Sequence, residues 1–214
     1  KGSVQSIQIT TYRSEKGYTD QRHPDKVLWG QSLNDDLNRR DFTINAIALP
    51  YKNGGFTEIV DPFDGQKDLE KKRVRTVGNA QERFEEDALR LIRAVRFATT
   101  LDFEIEDETM AAILKNAKSI SKVSGERVRD EIFKIVTSKN VAKGFFLLRD
   151  LGLLAEILPE LDVCFAVEQK SLKRHHIYDV GTHCVMSAAS TPSADVIVRF
   201  AALLHDIGKA KVAN

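Results

Sequence analysis

Residues 85–97 read EEDALRLIRAVRF. Leu89 and Ile92, with Leu91, Ala88 and Val95, recur at spacings of three and four, which predicts one helix with a buried face. Asp87 and Arg90 stand three apart, so on such a helix they would lie side by side, with Arg93 and Arg96 continuing the row. A carboxylate beside a guanidinium offers an acceptor and a planar donor fork, a combination able to read the edge of a nucleotide base. On spacing alone the commoner explanation is an ordinary surface ion pair with solvated arginines.

Working outward, the N-terminal third mixes strands and turns. Residues 4–12 alternate and are rich in β-branched side chains, which predicts a strand. Residues 13–25 read as a loop and 26–30 as a short strand or extended link. Asn34 or Asp35 can cap a helix running through Leu37, Phe42, Ile44, Ala46 and Ile47. A second short strand, 56–60, follows the turn Asn53-Gly54-Gly55, and residues 61–65 form a loop around Pro62 and Gly65. Beyond this point helical periodicity takes over. Asn79 is placed to cap the central helix, and 109–117, 125–137, 141–150 and 151–158 read as helices, with Pro159 ending one of them. Residues 160–174 read as a linker or hinge. Two further helices, 177–190 and 194–205, are separated by Thr191-Pro192-Ser193. The fold class is therefore α+β, mostly helical.

The 214 residues suit one large or two small domains, and 42% hydrophobic with 29% charged residues argues for a packed core over disorder. A net charge of +1 excludes a globally basic surface, so any RNA contact must come from local clusters of Arg and Lys. Cys164 and Cys184 show no metal or redox spacing and read as buried, reduced thiols of a cytoplasmic protein. No run is long and apolar enough to span a membrane, and no apolar signal segment opens the sequence.

A second stretch, RRDFTINAIAL at residues 39–49, changes the weight of the first. With Thr10-Thr11-Tyr12-Arg13, Asp61-Pro62-Phe63-Asp64-Gly65, Asp68-Leu69 and Glu86-Asp87-Ala88-Leu89-Arg90, it makes five motifs in one order. In that order and spacing the chain resembles the class II nucleotidyltransferases: the tRNA CCA-adding enzymes and the bacterial poly(A) polymerases. The resemblance implies part of a nucleotidyltransferase α/β head at 1–65, a helical neck that binds nucleotide and RNA at 66–160, and the start of an HD-type helical domain at 161–214. It implies addition of C, C and A to the tRNA 3′ end from CTP and ATP with Mg²⁺, without a nucleic-acid template. Arg39, Arg40 and Asp41 correspond to the ribose and phosphate motif, supported by Thr43 and Asn45. Asp87 and Arg90 correspond to the protein template, and Arg93 to a triphosphate contact. Cytosine and adenine each present an amine and a ring acceptor, which a carboxylate and a guanidinium satisfy, whereas guanine and uracil present the reverse polarity. Glu86 is expected to orient a neighbour or cap the helix start. Arg13 and Arg83 are lesser phosphate candidates, and Glu126, Arg127 and Arg129 are expected to brace the nucleotide helix through salt bridges.

Two departures accompany the resemblance. The family's metal-binding Asp-x-Asp is expected upstream of this sequence, and the adjacent Asp35-Asp36 are a poor substitute, so the chain reads as a fragment with no catalytic carboxylate pair, inactive alone. Gln8 stands where relatives commonly carry an acid, and a neutral amide is the weaker ligand. At the other end, His205-Asp206 within ALLHDIGK resembles the HD phosphohydrolase motif, with His183 as the upstream ligand and His175-His176 nearby. These are suitable ligands for a divalent metal; a metal-free helical domain that positions RNA is the competing reading. The alternatives of function are a poly(A) polymerase or CC- or A-adding enzyme, an HD phosphohydrolase with a helical scaffold in front, and a non-catalytic RNA-binding module.

Overall fold

The computed structural model describes residues 11–16, 26–29, 32–168 and 178–212. Gln8, Thr10, His175, His176 and most of the strand expected over 4–12 lie outside these residues; Thr11 and Tyr12 are not in a strand. Strand β1 (Arg13–Lys16) pairs antiparallel with β2 (Lys26–Trp29), so the loop expected from residue 13 starts instead as a strand.

Helix α1 (Leu33–Asn38) is far shorter than the helix expected to reach Ile47. Phe42 is extended, with φ −125° and ψ 150°, and only a 3-10 turn, Thr43–Asn45, follows. The reason is a distant partner. The Thr43 N–H donates to the Arg75 carbonyl (2.9 Å), and the Val77 N–H donates to that of Asp41 (3.0 Å). Pairing with residues 75–77 and burial of Phe42 win over a helical spacing that local sequence allows. The hairpin β3 (Tyr51–Lys52) and β4 (Gly55–Phe56) turns on Asn53-Gly54, with φ 51° and 83°, as a two-residue primed turn requires. The strand expected over 56–60 reduces to β4 and a bridge between Val60 and Ala48.

Helix α2 (Gly65–Glu70) is held at its start by Asp61, whose carboxylate accepts from the N–H groups of Gly65 (2.7 Å) and Gln66 (2.8 Å). A Cβ at Gly65 would lie 2.2 Å from the Thr43 carbonyl oxygen, so only glycine lets α2 approach the 3-10 turn this closely. Strand β5 (Arg73–Val74) follows. The central helix is then two helices, α3 (Ala80–Glu86), capped by Asn79, and α4 (Leu89–Leu101). Asp87 is extended (φ −148°, ψ 105°), and its carboxylate accepts from the Leu89 N–H (3.1 Å). A short acidic side chain that satisfies the backbone locally offers an alternative to continued helix, and here it starts a new one.

Strand β6 (Glu104–Ile105) lies parallel to β5, a pairing the sequence pattern did not signal. The rest is helical: α5 (Asp107–Asn116), a 3-10 stretch Ala117–Lys122, α6 (Gly125–Val136), α7 (Val141–Asp150), α8 (Leu153–Ile157), α9 (Pro159–Asp162), a 3-10 turn Val163–Ala166, α10 (Val180–Ser190), α11 (Val196–Leu204) and α12 (Lys209–Val212). Pro159 closes α8, whose last helical residue is Ile157 with Leu158 pushed out of the helical region, and also opens α9, where its missing N–H falls on a first turn that needs no donor. The described part of the expected linker, from 160, is folded, with Leu161 and Cys164 fully buried.

Helix α4 is the centre of the core. Leu91, Ile92, Ala94, Val95 and Ala98 have no exposed surface, each large side chain contributing roughly 1.5–3 kcal/mol of burial. Helices α6 and α7 pack on it; at Gly144 of α7 an added Cβ would lie 2.6 Å from Ile135 and 2.8 Å from Thr99. Helix α10 packs on α7 and α11, and one apolar cluster runs from Phe42 to Leu203.

Candidate nucleotide site and histidine cluster

The end of α1, the turn after it and the exposed edge of α4 bring the sequence-nominated residues together. Asp36, buried on α1, accepts from Arg39 Nε (3.1 Å) and Nη2 (2.5 Å) and from Arg40 Nη2 (3.0 Å). Burial pushes its carboxyl up, but the two arginines more than reverse this and hold it below the usual range. Asp36 thus aims both arginines; its spacing of three and four from them was legible, yet the sequence reading weighed it only as a metal ligand.

Asp41 is buried beneath Arg93 of α4. One carboxylate oxygen accepts from Arg93 Nε (2.8 Å) and Nη2 (2.5 Å), the other from Asn45 Nδ2 (3.0 Å) and the Phe42 N–H (2.9 Å). Burial raises the Asp41 pKa; the Arg93 charge, with these donors, brings it net below the ordinary value. Asn45 supports Asp41 as expected, whereas the Thr43 hydroxyl donates elsewhere, to Asp68 (2.7 Å).

The side chains of Asp87 and Arg90 are not partners, contrary to the side-by-side placement expected; only the Arg90 N–H donates to the Asp87 carbonyl (3.0 Å). The break at Asp87 turns its carboxylate toward α6, where Arg127 donates from Nη2 (2.8 Å) and Nη1 (3.3 Å). Arg90 is only 8% exposed and faces inward. It donates to Glu86 (2.5 Å), to the Arg83 carbonyl (3.0 Å) and to the Arg39 carbonyl (3.1 Å), tying α3 and α4 to the turn that carries Asp41. Glu86 therefore orients a neighbour. Arg83 is turned inward as well, toward Glu86 (3.1 Å) and the Asn38 carbonyl (3.3 Å). Of the expected bracing residues, Arg127 reaches Asp87 ahead of α4, while Arg129 pairs with Asp130 at the surface. The side chain of Arg13 lies outside the described residues.

Sequence reasoning missed Glu131, a 3% exposed carboxylate on α6 that accepts from Arg96 (2.8 Å) and Lys134 (2.7 Å). Lys134 is a helical neighbour, but Arg96 is 35 residues away and left no local signal.

At the other end, His183 on α10 and His205 and Asp206 after α11 converge. The two Nε2 atoms are 3.2 Å apart, and Asp206 lies 3.6 Å from His183 and 3.3 Å from His205. His205 Nδ1 faces the Ala202 carbonyl at 2.8 Å, an acceptor only, so Nδ1 carries a proton and Nε2 is the nitrogen that a neutral ring would offer to a ligand. Lys209 Nζ stands 2.6 Å from Asp206. Burial raises the Asp206 carboxyl, but Lys209 and the two imidazoles hold it below the usual range. This is the one group of three metal-ligating types found within 4.8 Å among the described residues. Both cysteines are buried and free. No described helix is long and apolar enough to cross a membrane.

Residues 1–75 match the family model described as the poly A polymerase head domain, and residues 102–165 the one described as the probable RNA and SrmB-binding site of polymerase A. The chain is 48% identical over 153 residues to a CCA-adding enzyme of Lactobacillus johnsonii, and 45% identical over 161 residues to that of Lactococcus lactis. These alignments cover 72% and 75% of the chain but only 37% and 39% of the relatives. The crystal structure of the Bacillus stearothermophilus CCA-adding enzyme in complex with CTP superposes with a TM-score of 0.70 at 32% identity, over 93% of this chain and 43% of that one.

Proposed function

Since the chain belongs to the class II family of CCA-adding enzymes and poly(A) polymerases, we propose that the protein is a tRNA nucleotidyltransferase that adds C, C and A to the tRNA 3′ end from CTP and ATP. The carrying observation is the interruption of the central helix at Asp87, which puts a fixed carboxylate just before α4, the helix that Arg90 ties to the turn carrying Asp41. Arg127 and the Leu89 N–H hold that carboxylate in one orientation, so it accepts from the amine of cytosine or adenine without reorganising. Arg90 keeps the start of α4 seated against the turn that carries Asp41, and Lys would not replace its fork. Asp41 takes the sugar, and Arg39, Arg40 and Arg93 supply positive charge to the triphosphate. The tRNA 3′ hydroxyl attacks the α-phosphate and pyrophosphate leaves, with no covalent protein nucleophile. We assign residues 1–65 to the head, 66–160 to the neck and 161–214 to an HD-type unit.

Divalent-metal dependence is general in the family, and we take Mg²⁺ as the ion. The acids described on the nucleotide side do not fit a metal centre, because Asp36, Asp41 and Asp87 are each held by arginine. His183, His205 and Asp206 do fit a divalent ion, by donor chemistry and by the tautomer that the Ala202 carbonyl imposes on His205. There the ion would supply Lewis acidity, held by these three side chains in competition with Lys209 for Asp206.

The test offers the full-length protein tRNA transcripts ending one, two or three nucleotides short, with CTP and ATP, and sequences the products. Defined CCA ends that disappear on Asp87→Ala support the assignment. Long adenosine tails move it to poly(A) polymerase.

A further inference from the structure

Arg93 stands between two carboxylates. It grips Asp41 through Nε and Nη2, while its Nη1 lies 3.8 Å from Glu131 of α6. Every Asp41 oxygen is already in use: one by Arg93, the other by Asn45 and the Phe42 N–H. A sugar hydroxyl that takes the oxygen Arg93 now holds displaces Arg93 from it. A guanidinium released in a half-buried place without an acceptor is costly. Glu131 offers that acceptor. It is 3% exposed, and the Arg96 and Lys134 donors keep it ionised against the effect of burial. It is also pinned: the Arg96 guanidinium lies 3.4 Å above the Phe97 ring, and Phe97 packs edge-on against Phe42, the residue after Asp41.

We propose that Glu131 is a positioning residue of the nucleotide site, receiving Arg93 across the 3.8 Å gap when the nucleotide sugar takes Asp41. The inference rests on the assignment of Asp41 to the sugar made above. Glu131 touches no nucleotide atom; its effect passes wholly through Arg93.

That route gives the test its form. Dissociation constants for CTP and ATP are measured on the full-length protein, in wild type and in Glu131→Gln, Arg93→Met and the double variant. Glu131→Gln should weaken binding about tenfold, the scale of one charge-assisted hydrogen bond. With Arg93 already Met, adding Glu131→Gln should change affinity less than about twofold, because the route is gone. Equal weakening in both backgrounds would show that Glu131 acts through the fold, and no weakening in either would show that it does not act; both overturn the proposal. Glu131→Asp keeps the charge but lengthens the gap, and carries the same comparison, with about threefold weakening, if the Gln variant does not fold. Wild-type protein that binds neither nucleotide removes the proposed function and this inference together. Wild-type binding with no coupling removes the inference alone.

Discussion

Replacing Arg90 with Lys tests the idea that this arginine is a three-way brace. Its guanidinium holds Glu86, the Arg83 carbonyl and the Arg39 carbonyl at once, in a setting that leaves the residue 8% exposed. A single ammonium can keep the Glu86 pair but not both carbonyls, which lie 44 positions apart in the sequence and need the fork to span them. Each lost bond from a charged donor costs about 1.5 kcal/mol or more, so Arg90→Lys should destabilise the fold by about 3 kcal/mol. For a chain of this size that lowers the melting temperature by about 6–12 °C. Calorimetry and urea titration would both read it, and the urea slope should stay unchanged if the native state is intact. A loss below about 1 kcal/mol would refute the brace and mean that Arg90 is held by its Glu86 ion pair alone.

Other expectations follow from separate features. Gly65→Ala forces a Cβ to within 2.2 Å of the Thr43 carbonyl and should cost about 3 kcal/mol, measured by chemical denaturation. Arg127→Ala frees the Asp87 carboxylate at a half-buried pair; stability should fall by only about 1 kcal/mol, while discrimination of CTP and ATP against GTP and UTP, read by competition binding, should relax several-fold. Asp41 and Glu131 both have folded pKa values below their ordinary ones. Their stabilisation is therefore complete above the unfolded values near about 4 and is lost as pH falls toward the folded values, so Asp41→Asn should flatten the acid limb of a stability–pH curve and leave the neutral region level. At the histidine cluster, Lys209→Met removes the cation competing for Asp206 and should tighten Mn²⁺ binding in calorimetric titration, whereas His205→Ala should abolish it.

What could be read from the sequence divides by the range of the forces involved. Helices α6, α7 and α11 lie within a residue or two of their expected bounds because apolar periodicity, a local signal, sets them. The same signal misled at Phe42 and at Asp87. At Phe42 the helical spacing continues in the sequence, but hydrogen bonds to residues 75–77 take the backbone away. At Asp87 the periodicity of the apolar residues survives the break, because Phe84 before it and Ala88 and Leu89 after it all stay buried. The pairing of β5 with β6 joins two-residue strands 31 positions apart, too short for any pattern to mark. In the site, motif order nominated Arg39, Arg40, Asp41, Asp87, Arg90 and Arg93, but could not give their partners: Asp41 with Arg93 and Asp87 with Arg127 are contacts across 52 and 40 residues. Asp36 could have been found by its helical spacing; Glu131 could not.

The central claim is that side chains at the start of α4 select the base. The most direct measurement is the binding of CTP, ATP, GTP and UTP to the full-length protein and to Asp87→Ala, without tRNA. The account predicts CTP and ATP bound at least about tenfold more tightly than GTP and UTP, the worth of one well-formed hydrogen bond to a charged group, with the preference lost in the variant. Four nucleotides bound alike by the wild type, or a preference unchanged in Asp87→Ala, would contradict it.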